Sequence, residues 1–438
     1  MKDFLLVGYQ MRIRVFVLCL IFIVSTSIGG RPRMVNIETV SISTAEELKL
    51  FAEQVNGGNS FKGKKVELLD NIWLNDTIGW RYWGRSTSNL KTWTPIGNEE
   101  HPFEGIFDGN GHFVAGLFTK AGSESFYQGL FGCLRNAIIK NTHIRYSHII
   151  ASNFVGSIAG YINLNTSIIG CSNAGSIESD RNYTGGIVGF AEGQNRLVNC
   201  YNQGKIYGHR CVGGIIGFYE GGSIYNVYNR GEVIGKYEHV GGIVGEYSEP
   251  YHKSVKGTGL HSVPNDTLAN CYNTGIICGR DVVGGIAGHI NLYPNEVTTI
   301  KALIANNYNA GKLVTYYPIV TDGLVGVYAY FSSKEKLLIP SVNRIERDGG
   351  ACYWSAESCK IVSMEKPRFE SDAIRSDMWN NVCYGITKIP RSFRYFSQNE
   401  MQKQTFVDLL NEWAIKNSLF SSWVLDTQNK NQGFPVFK

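Results

Sequence analysis

Residues 211–245 read CVGGIIGFYEGGSIYNVYNRGEVIGKYEHVGGIVG, and within that stretch one unit closes and the next opens. A glycine pair, two apolar residues and a further glycine recur from Gly185 (GGIVG), Gly213 (GGIIG), Gly241 (GGIVG) and Gly284 (GGIAG). Looser copies flank them, with GLFG from Gly129, GSIAG from Gly156 and GLVG from Gly323. Behind each copy comes an Asn-x-Tyr-Asn-x-Gly block: LVNCYNQGKI from Leu197, IYNVYNRGEV from Ile224, LANCYNTGII from Leu268 and IANNYNAGKL from Ile304. IIGCSNAGSI from Ile168 is an earlier variant. First glycines from Gly156 onward are separated by 29, 28, 28, 43 and 39 residues, a stable period with occasional additions. That pattern means stacked units carrying loop insertions.

Within a unit the apolar runs span only three to five residues, β-branched or aromatic and punctuated by Gly or Asn, so they are strands. Strands this short make a poor sandwich. Coiling one unit per turn lets each strand pair with its counterpart in the next turn, and like residues then stack at about 4.8 Å. The fold class expected is all-β, a parallel β-helix with short capping α-helices at both ends and roughly ten turns, about 50 Å long. Ile187, Ile215, Ile243 and Ile286 should form one inward ladder. Asn173, Asn202, Asn229, Asn273 and Asn309 should form an amide ladder at a corner, and Asn199, Asn226, Asn270 and Asn306 a second. Tyr201, Tyr228, Tyr272 and Tyr308 should stack too, either as packing or as a sugar-binding stripe, with their facing left open. Cys171, Cys200 and Cys271 share one repeat position, which favours buried thiols; Cys352 and Cys359 are the best disulfide candidates.

A solenoid must cover its ends. Thr44-Ala45-Glu46-Glu47 is a capping box, followed by Leu48, Phe51, Ala52 and Val55 at helical spacing up to Asn56-Gly57-Gly58. Phe406, Leu409, Leu410 and Trp413 mark a second amphipathic helix over 405–416, and Gly433-Phe434-Pro435-Val436-Phe437 a closing strand. The organisation expected is a signal peptide over 1–30, a helical cap over 31–59, a β-helix over 60–400 with its regular part at about 128–330, and a C-terminal helical cap and closing strand over 401–438.

The 438 residues are 43% hydrophobic and 18% charged, with 50 Gly and only 11 Pro, which excludes a disordered tail, a collagen and a multi-span membrane protein. A net charge of +5 without a like-charge run gives no reason to expect nucleic acid as a partner. Arg12 and Arg14, the apolar run Val15–Val24 and small residues up to Gly30 read as an export signal, with Met11 a possible initiator. No later run is long enough to span a bilayer.

KKVELLDNIWLND, WTPIG, FEGIFDGNGHFVAGL and GLFGCLRNAIIKNTHI, together with the GGIVG copies and the closing Trp423–Phe437 segment, resemble the GLUG-motif proteins exported by Gram-negative anaerobes. The resemblance covers roughly residues 44–438. It implies a right-handed parallel β-helix on or outside the cell surface, with adhesion as the usual role. The same motif occurs in large immunoglobulin A peptidases, whose zinc site needs His-Glu-x-x-His. None of the nine histidines here is followed by Glu, which disfavours that activity.

Other catalytic spacings are also missing. Gly156-Ser157-Ile158-Ala159-Gly160 has the wrong order for a nucleophile elbow. Asp108, in Phe-Asp-Gly-Asn-Gly-His, is explained by turn chemistry. His143 and His148 read as surface or corner residues. A polysaccharide lyase or glycoside hydrolase would need carboxylates at matched phase, and of Glu192, Glu220 and Glu246 only the first two align. No catalytic, cofactor or metal residue is therefore assigned. Candidate ligand-binding residues lie in the additions to the frame. One group is Trp80, Arg81, Tyr82, Trp83 and Arg85, whose rings would stack on sugars and whose guanidinium groups would donate hydrogen bonds. The other is Tyr247, Tyr251 and His252, in the insertion from Glu246 to Asp266. The function expected is an adhesin-like module for glycans or surface proteins, cell-surface or extracellular. A β-helix lyase or hydrolase and a periplasmic or envelope structural protein are the alternatives.

Overall fold

The computed structural model describes residues 37–83, 89–120, 122, 125–248, 267–280, 282–292, 303–315, 321–322, 325–330, 352–355, 393–415 and 419–438. The expected signal peptide, Arg85, Tyr251, His252 and Cys359 lie outside them. From Glu38 to Lys438 the chain forms one unit, which among the described residues winds through three parallel sheets, I, II and III, of 14, 15 and 7 strands. A representative turn crosses sheet III at Asn182–Gly185, sheet I at Val188–Val198, and sheet II at Tyr201–Asn202 and Lys205–Gly208. It re-enters sheet III at Arg210–Gly213, one turn on. Sheet I runs ten strands deep along its path, and the seven strands of sheet III mark the seven turns that carry all three faces.

The repeat period becomes strand register. Val188, Ile216, Val244, Ala287 and Val325 are successive partners in sheet I, and Ile177, Ile206, Val233, Ile277 and Leu313 follow one another in sheet II. Ile187, Ile215, Ile243 and Ile286 are all buried, so the expected inward ladder is present. The glycine pairs are required by close approach between turns. A Cβ on Gly214 would lie 2.1 Å from Gly242 O and 2.6 Å from Asn229 Cγ, closer than any side chain tolerates.

Both asparagine ladders form, for different reasons. In the first, each Nδ2 donates to the next Oδ1 at 2.8 Å, from Asn173 through Asn202, Asn229 and Asn273 to Asn309. Each amide also bridges the backbone of the glycine two residues on, as Asn202 does with Gly204. In the second, Asn199, Asn226, Asn270 and Asn306 hold φ between 53° and 55°, the left-handed corner that asparagine tolerates best after glycine. Cys171, Cys200 and Cys271 are buried thiols in the same column of turns. Cys352 lies on the strand Cys352–Ser355 of sheet II.

The N-terminal end closes as its sequence predicts, although the strand Thr39–Ile42 of sheet I already precedes the helix Ala45–Asn56. The Thr44 hydroxyl accepts from Glu47 N at 3.2 Å, and the Glu47 carboxylate accepts from Thr44 N at 3.0 Å. The helix buries Leu48, Phe51, Ala52 and Val55, and Phe51 meets the rings of Phe61, Phe103 and Phe107.

The tyrosine ladder faces outward on sheet II, between the inward Cys200 and Asn202 columns. Its rings are parallel to within 5°, with centroids 4.9, 4.7 and 5.1 Å apart. The C-terminal helices Gln398–Met401 and Gln404–Ala414 and the antiparallel pair Trp423–Val424 with Val436–Phe437 lie along this flank. Asn226, Asn270 and Asn306 donate their amides to the carbonyls of Leu419, Ser421 and Leu410. Trp423 donates Nε1 to Asn270 Oδ1 at 2.7 Å, and Asn431 binds Thr274 Oγ1 and Tyr308 OH. Tyr272 and Tyr308 are thereby fully buried, whereas Tyr201 stays partly exposed.

Candidate functional site

The early turns carry an exposed aromatic platform on the outer side of sheet II. Strands Ile72–Trp73, Phe113–Ala115 and His143–Ala151 pair so that Val114 and Ile144 point into the core, which sends Phe113 and Arg145 outward. At the register shift between Arg145 and His148, Tyr146 adopts φ 48° and its ring projects outward. It lies parallel to Trp73, with centroids 6.4 Å apart and planes at 9°. Trp73 is 52% exposed and Tyr146 42%. Trp80, at the start of the 3-10 turn Trp80–Tyr82, meets Tyr146 edge-on at 6.3 Å. The Arg81 guanidinium sits 5.0 Å from the Trp80 ring, and that of Arg145 5.0 Å from Phe113. Beside Trp73 opens a cleft of about 480 Å³ lined by Trp73, Leu74, Asn75, Asp76, Thr77, Asn89 and Lys91. Asn75 braces it, accepting from Lys91 N and donating to Lys91 O and Gly116 O.

The candidate residues of the first insertion therefore separate. Trp80 and Arg81 belong to the platform and Tyr82 is 70% exposed beside it. Trp83 is a correction: it is buried, 6% exposed, with its ring edge-on to Phe118 at 5.8 Å. The 3-10 turn ends there with extended backbone, and the ring covers Phe118 where that residue stands beside His148 in sheet II. Tyr247 is a second correction. It falls on an inward position of the strand Val244–Ser248, fully buried against Tyr219. Trp73, Phe113 and Tyr146 were missed, because each sits in a strand of the frame rather than in an insertion. Their signal was an aromatic at an outward position beside an inward apolar residue.

Other expectations for polar residues resolve as structure. Asp108 accepts from Asn110 N at 3.0 Å, as turn chemistry requires, and pairs with Lys140 at 2.9 Å. Burial works against its charge, but Lys140 and the Asn110 amide outweigh that and hold its carboxyl below the ordinary range. Glu192 and Glu220 do face each other in neighbouring turns, and Glu192 accepts from Tyr161 OH at 2.7 Å. His143 is half-buried, whereas His148 is a correction: it stays on the outward column beside Phe118 and Ser176 but is covered there, 4% exposed, 3.1 Å from Glu178.

A second constellation lies where sheet III turns into sheet I. Two adjacent columns run along that corner. The first, with positive φ throughout, is Tyr127, Phe154, Tyr183, Cys211, His239 and Val282. The second is Cys133, Tyr161, Phe190, Phe218, Glu246 and His289. The middle turns fill the corner with stacked rings, as in Phe154 on Tyr183 at 5.2 Å and Phe190 on Phe218 at 5.0 Å. From Cys211 onward the same positions carry a thiol, two imidazoles and a carboxylate. Cys211 Sγ lies 3.3 Å from Glu246 Oε2 and 3.8 Å from His239 Nδ1, and His239 Nδ1 lies 2.8 Å from Glu246 Oε2. His289 Nδ1 is 3.4 Å from the other carboxylate oxygen. Burial, then the Glu246 charge, push the Cys211 thiol well above its ordinary range. Burial opposes the charge of Glu246 as well, but hydrogen bonds from His239 and His289 prevail and hold it far below the usual carboxylate range.

Fold and repeat together define the class: a parallel β-helix of stacked repeat turns, one of which carries a GLUG motif. The GLUG motif model matches residues 208–234, one turn of the regular stack. A crystal structure of a candidate immunoglobulin A1 protease from Bacteroides ovatus aligns over 91% of this chain and 91% of that one. The two share 18% sequence identity, with a TM-score of 0.47. No curated protein matches the chain. Among the described residues no helix is long and apolar enough to cross a membrane.

Proposed function

We propose that this protein is an exported, adhesin-like binding module that takes glycans on the Trp73–Trp80–Tyr146 platform. The observation that carries the reading is the exposed parallel pair of Trp73 and Tyr146 beside the polar cleft. Sugar rings present axial C–H groups that pack on flat aromatic faces, while their hydroxyls need hydrogen-bonding groups close by. Trp73 supplies the face, and Asp76, Thr77, Asn89 and Lys91 line the wall beside it. Arg81 rests on Trp80, which leaves its guanidinium edge available to hydroxyl or carboxylate groups. Export rests on the sequence of residues 1–30 and adhesion on the family resemblance.

Two experiments test the reading. Protease shaving of intact cells should digest the protein from outside; complete protection would overturn the adhesin reading in favour of a periplasmic or envelope role. Glycan-array retention of the purified chain should fall at least about tenfold in Trp73→Ala, the loss of one stacking face. Equal retention by the variant would remove the platform as the binding surface, and release of new reducing or unsaturated ends would favour a lyase or hydrolase instead.

A further inference from the structure

We propose that Cys211, His239 and Glu246 form a binding site for a divalent transition metal, zinc(II) being the ion they fit, with His289 orienting the Glu246 carboxylate. Thiolate, imidazole and carboxylate together make a mixed S/N/O donor set. Calcium and magnesium take all-oxygen shells, whereas zinc takes this set with bonds of about 2.0–2.3 Å. Bonds of that length at tetrahedral angles place neighbouring donors about 3.3–3.7 Å apart. The Cys211–Glu246 separation, 3.3 Å, already lies at that edge length, and the Cys211–His239 separation, 3.8 Å, lies just beyond it. Only the His239–Glu246 pair, a 2.8 Å hydrogen bond, must open to admit the ion. The three donor atoms all fall within 4.8 Å of one another.

The surroundings are those of a built site. Cys211 is 2% exposed and His239 9%, both on a corner of the rigid stack, and the parallel strand register fixes Glu246 between Phe218 and His289. Ligating carboxylates are held by outer hydrogen bonds, and His289 stands in that place at 3.4 Å from the second Glu246 oxygen. Packing alone does not call for these residues. The preceding turns fill the same two columns with Tyr183, Phe190 and Phe218, whose rings close the corner without a thiol, imidazole or carboxylate. Three protein ligands leave a fourth position for water or an external ligand.

The test uses the full chain, stripped with a chelator and titrated with zinc(II) and with cobalt(II). The expected result is one ion bound at this site, and for cobalt a thiolate-to-metal charge-transfer band. Cys211→Ser should remove the band. Glu246→Phe, which copies the residue Phe218 one turn earlier and so keeps the corner packed, should lower zinc affinity at least about a hundredfold. His289→Ala should lower it by about 10–100-fold while the band persists, as expected of an outer partner. Thermal unfolding of each metal-free variant checks that it folds. Absence of stoichiometric binding, a cobalt complex without the thiolate band, or unchanged zinc affinity in both Cys211→Ser and Glu246→Phe would each overturn the site.

Discussion

Asn229 donates its side-chain amide to Asn273 Oδ1 at 2.8 Å across 44 residues of sequence, the same bond that Asn202 makes to Asn229 across 27. The insertion between them leaves the ladder undisturbed, so the amide column is a property of the stacked frame and not of unit length. Each of Asn202, Asn229 and Asn273 is both donor and acceptor to its neighbours and to the backbone of its own turn, and every member of the column is buried.

Replacing Asn229 by Ala would remove one of the two bonds at Asn202 Nδ2 and at Asn273 Oδ1, and the side-chain partner of both backbone groups of Gly231, in a buried column. Each buried group deprived of a partner costs about 1–3 kcal/mol, so a loss on the order of 3–5 kcal/mol is expected in chemical denaturation. Asn199→Gly should change stability by less than about 1 kcal/mol, because glycine adopts φ 55° freely and the Asn199 side chain is exposed. Equal costs at the two sites would contradict the different roles of the two ladders.

Gly214→Ala should be more damaging than any conservative change in the adjacent core. Its Cβ would meet Gly242 O at 2.1 Å, and only separation of two turns relieves that. A loss above about 3 kcal/mol, or failure to fold, is expected, against about 1 kcal/mol for Ile215→Val. Thermal unfolding of the pair decides it; a tolerated alanine would mean the turns stand further apart than described.

The two tryptophans of the first insertion should behave oppositely. Trp83→Ala empties a buried site against Phe118 and should cost about 3–5 kcal/mol. Trp80→Ala should leave stability within about 1 kcal/mol while weakening glycan retention, because its ring is only half-buried. A stability loss in Trp80→Ala would make the platform part of the core.

Acid should release the C-terminal flank first. Burial raises the Asp426 carboxyl, but amides of Asn431, Lys430 and Gly433 more than compensate and hold it below its ordinary value. A depressed folded-state value means that this stabilisation is complete above the unfolded value, near 4, and is lost as pH falls through the folded one. Limited proteolysis between pH 5 and pH 2 should therefore show cleavage within 404–438 before the regular turns open. Asp426→Asn should show it already at neutral pH. Simultaneous loss of all turns would refute a separately held flank.

Much of this architecture is written locally. The GGIVG period, the Asn-x-Tyr-Asn-x-Gly blocks and the Thr44–Glu47 capping box each specify their own backbone, so the ladders of Ile187, Asn202 and Asn199 followed from spacing alone. A parallel stack repeats the same bonds in each turn, and any residue held at constant phase is carried into a column. What the period could not specify is whatever sits beside the columns. Trp83 and Tyr247 are buried because of where a 3-10 turn ends and how a strand alternates, and composition does not distinguish them from half-buried Trp80 and exposed Tyr82. Tyr272 and Tyr308 are buried only because a segment more than a hundred residues later lies across them. Cys211, His239, Glu246 and His289, separated in sequence by 28, 7 and 43 residues, form no motif; Cys211 and His239 share one phase, Glu246 and His289 another. Their meeting needed two columns to become neighbours at one corner, a relation set by how strands of different sheets bend around the core.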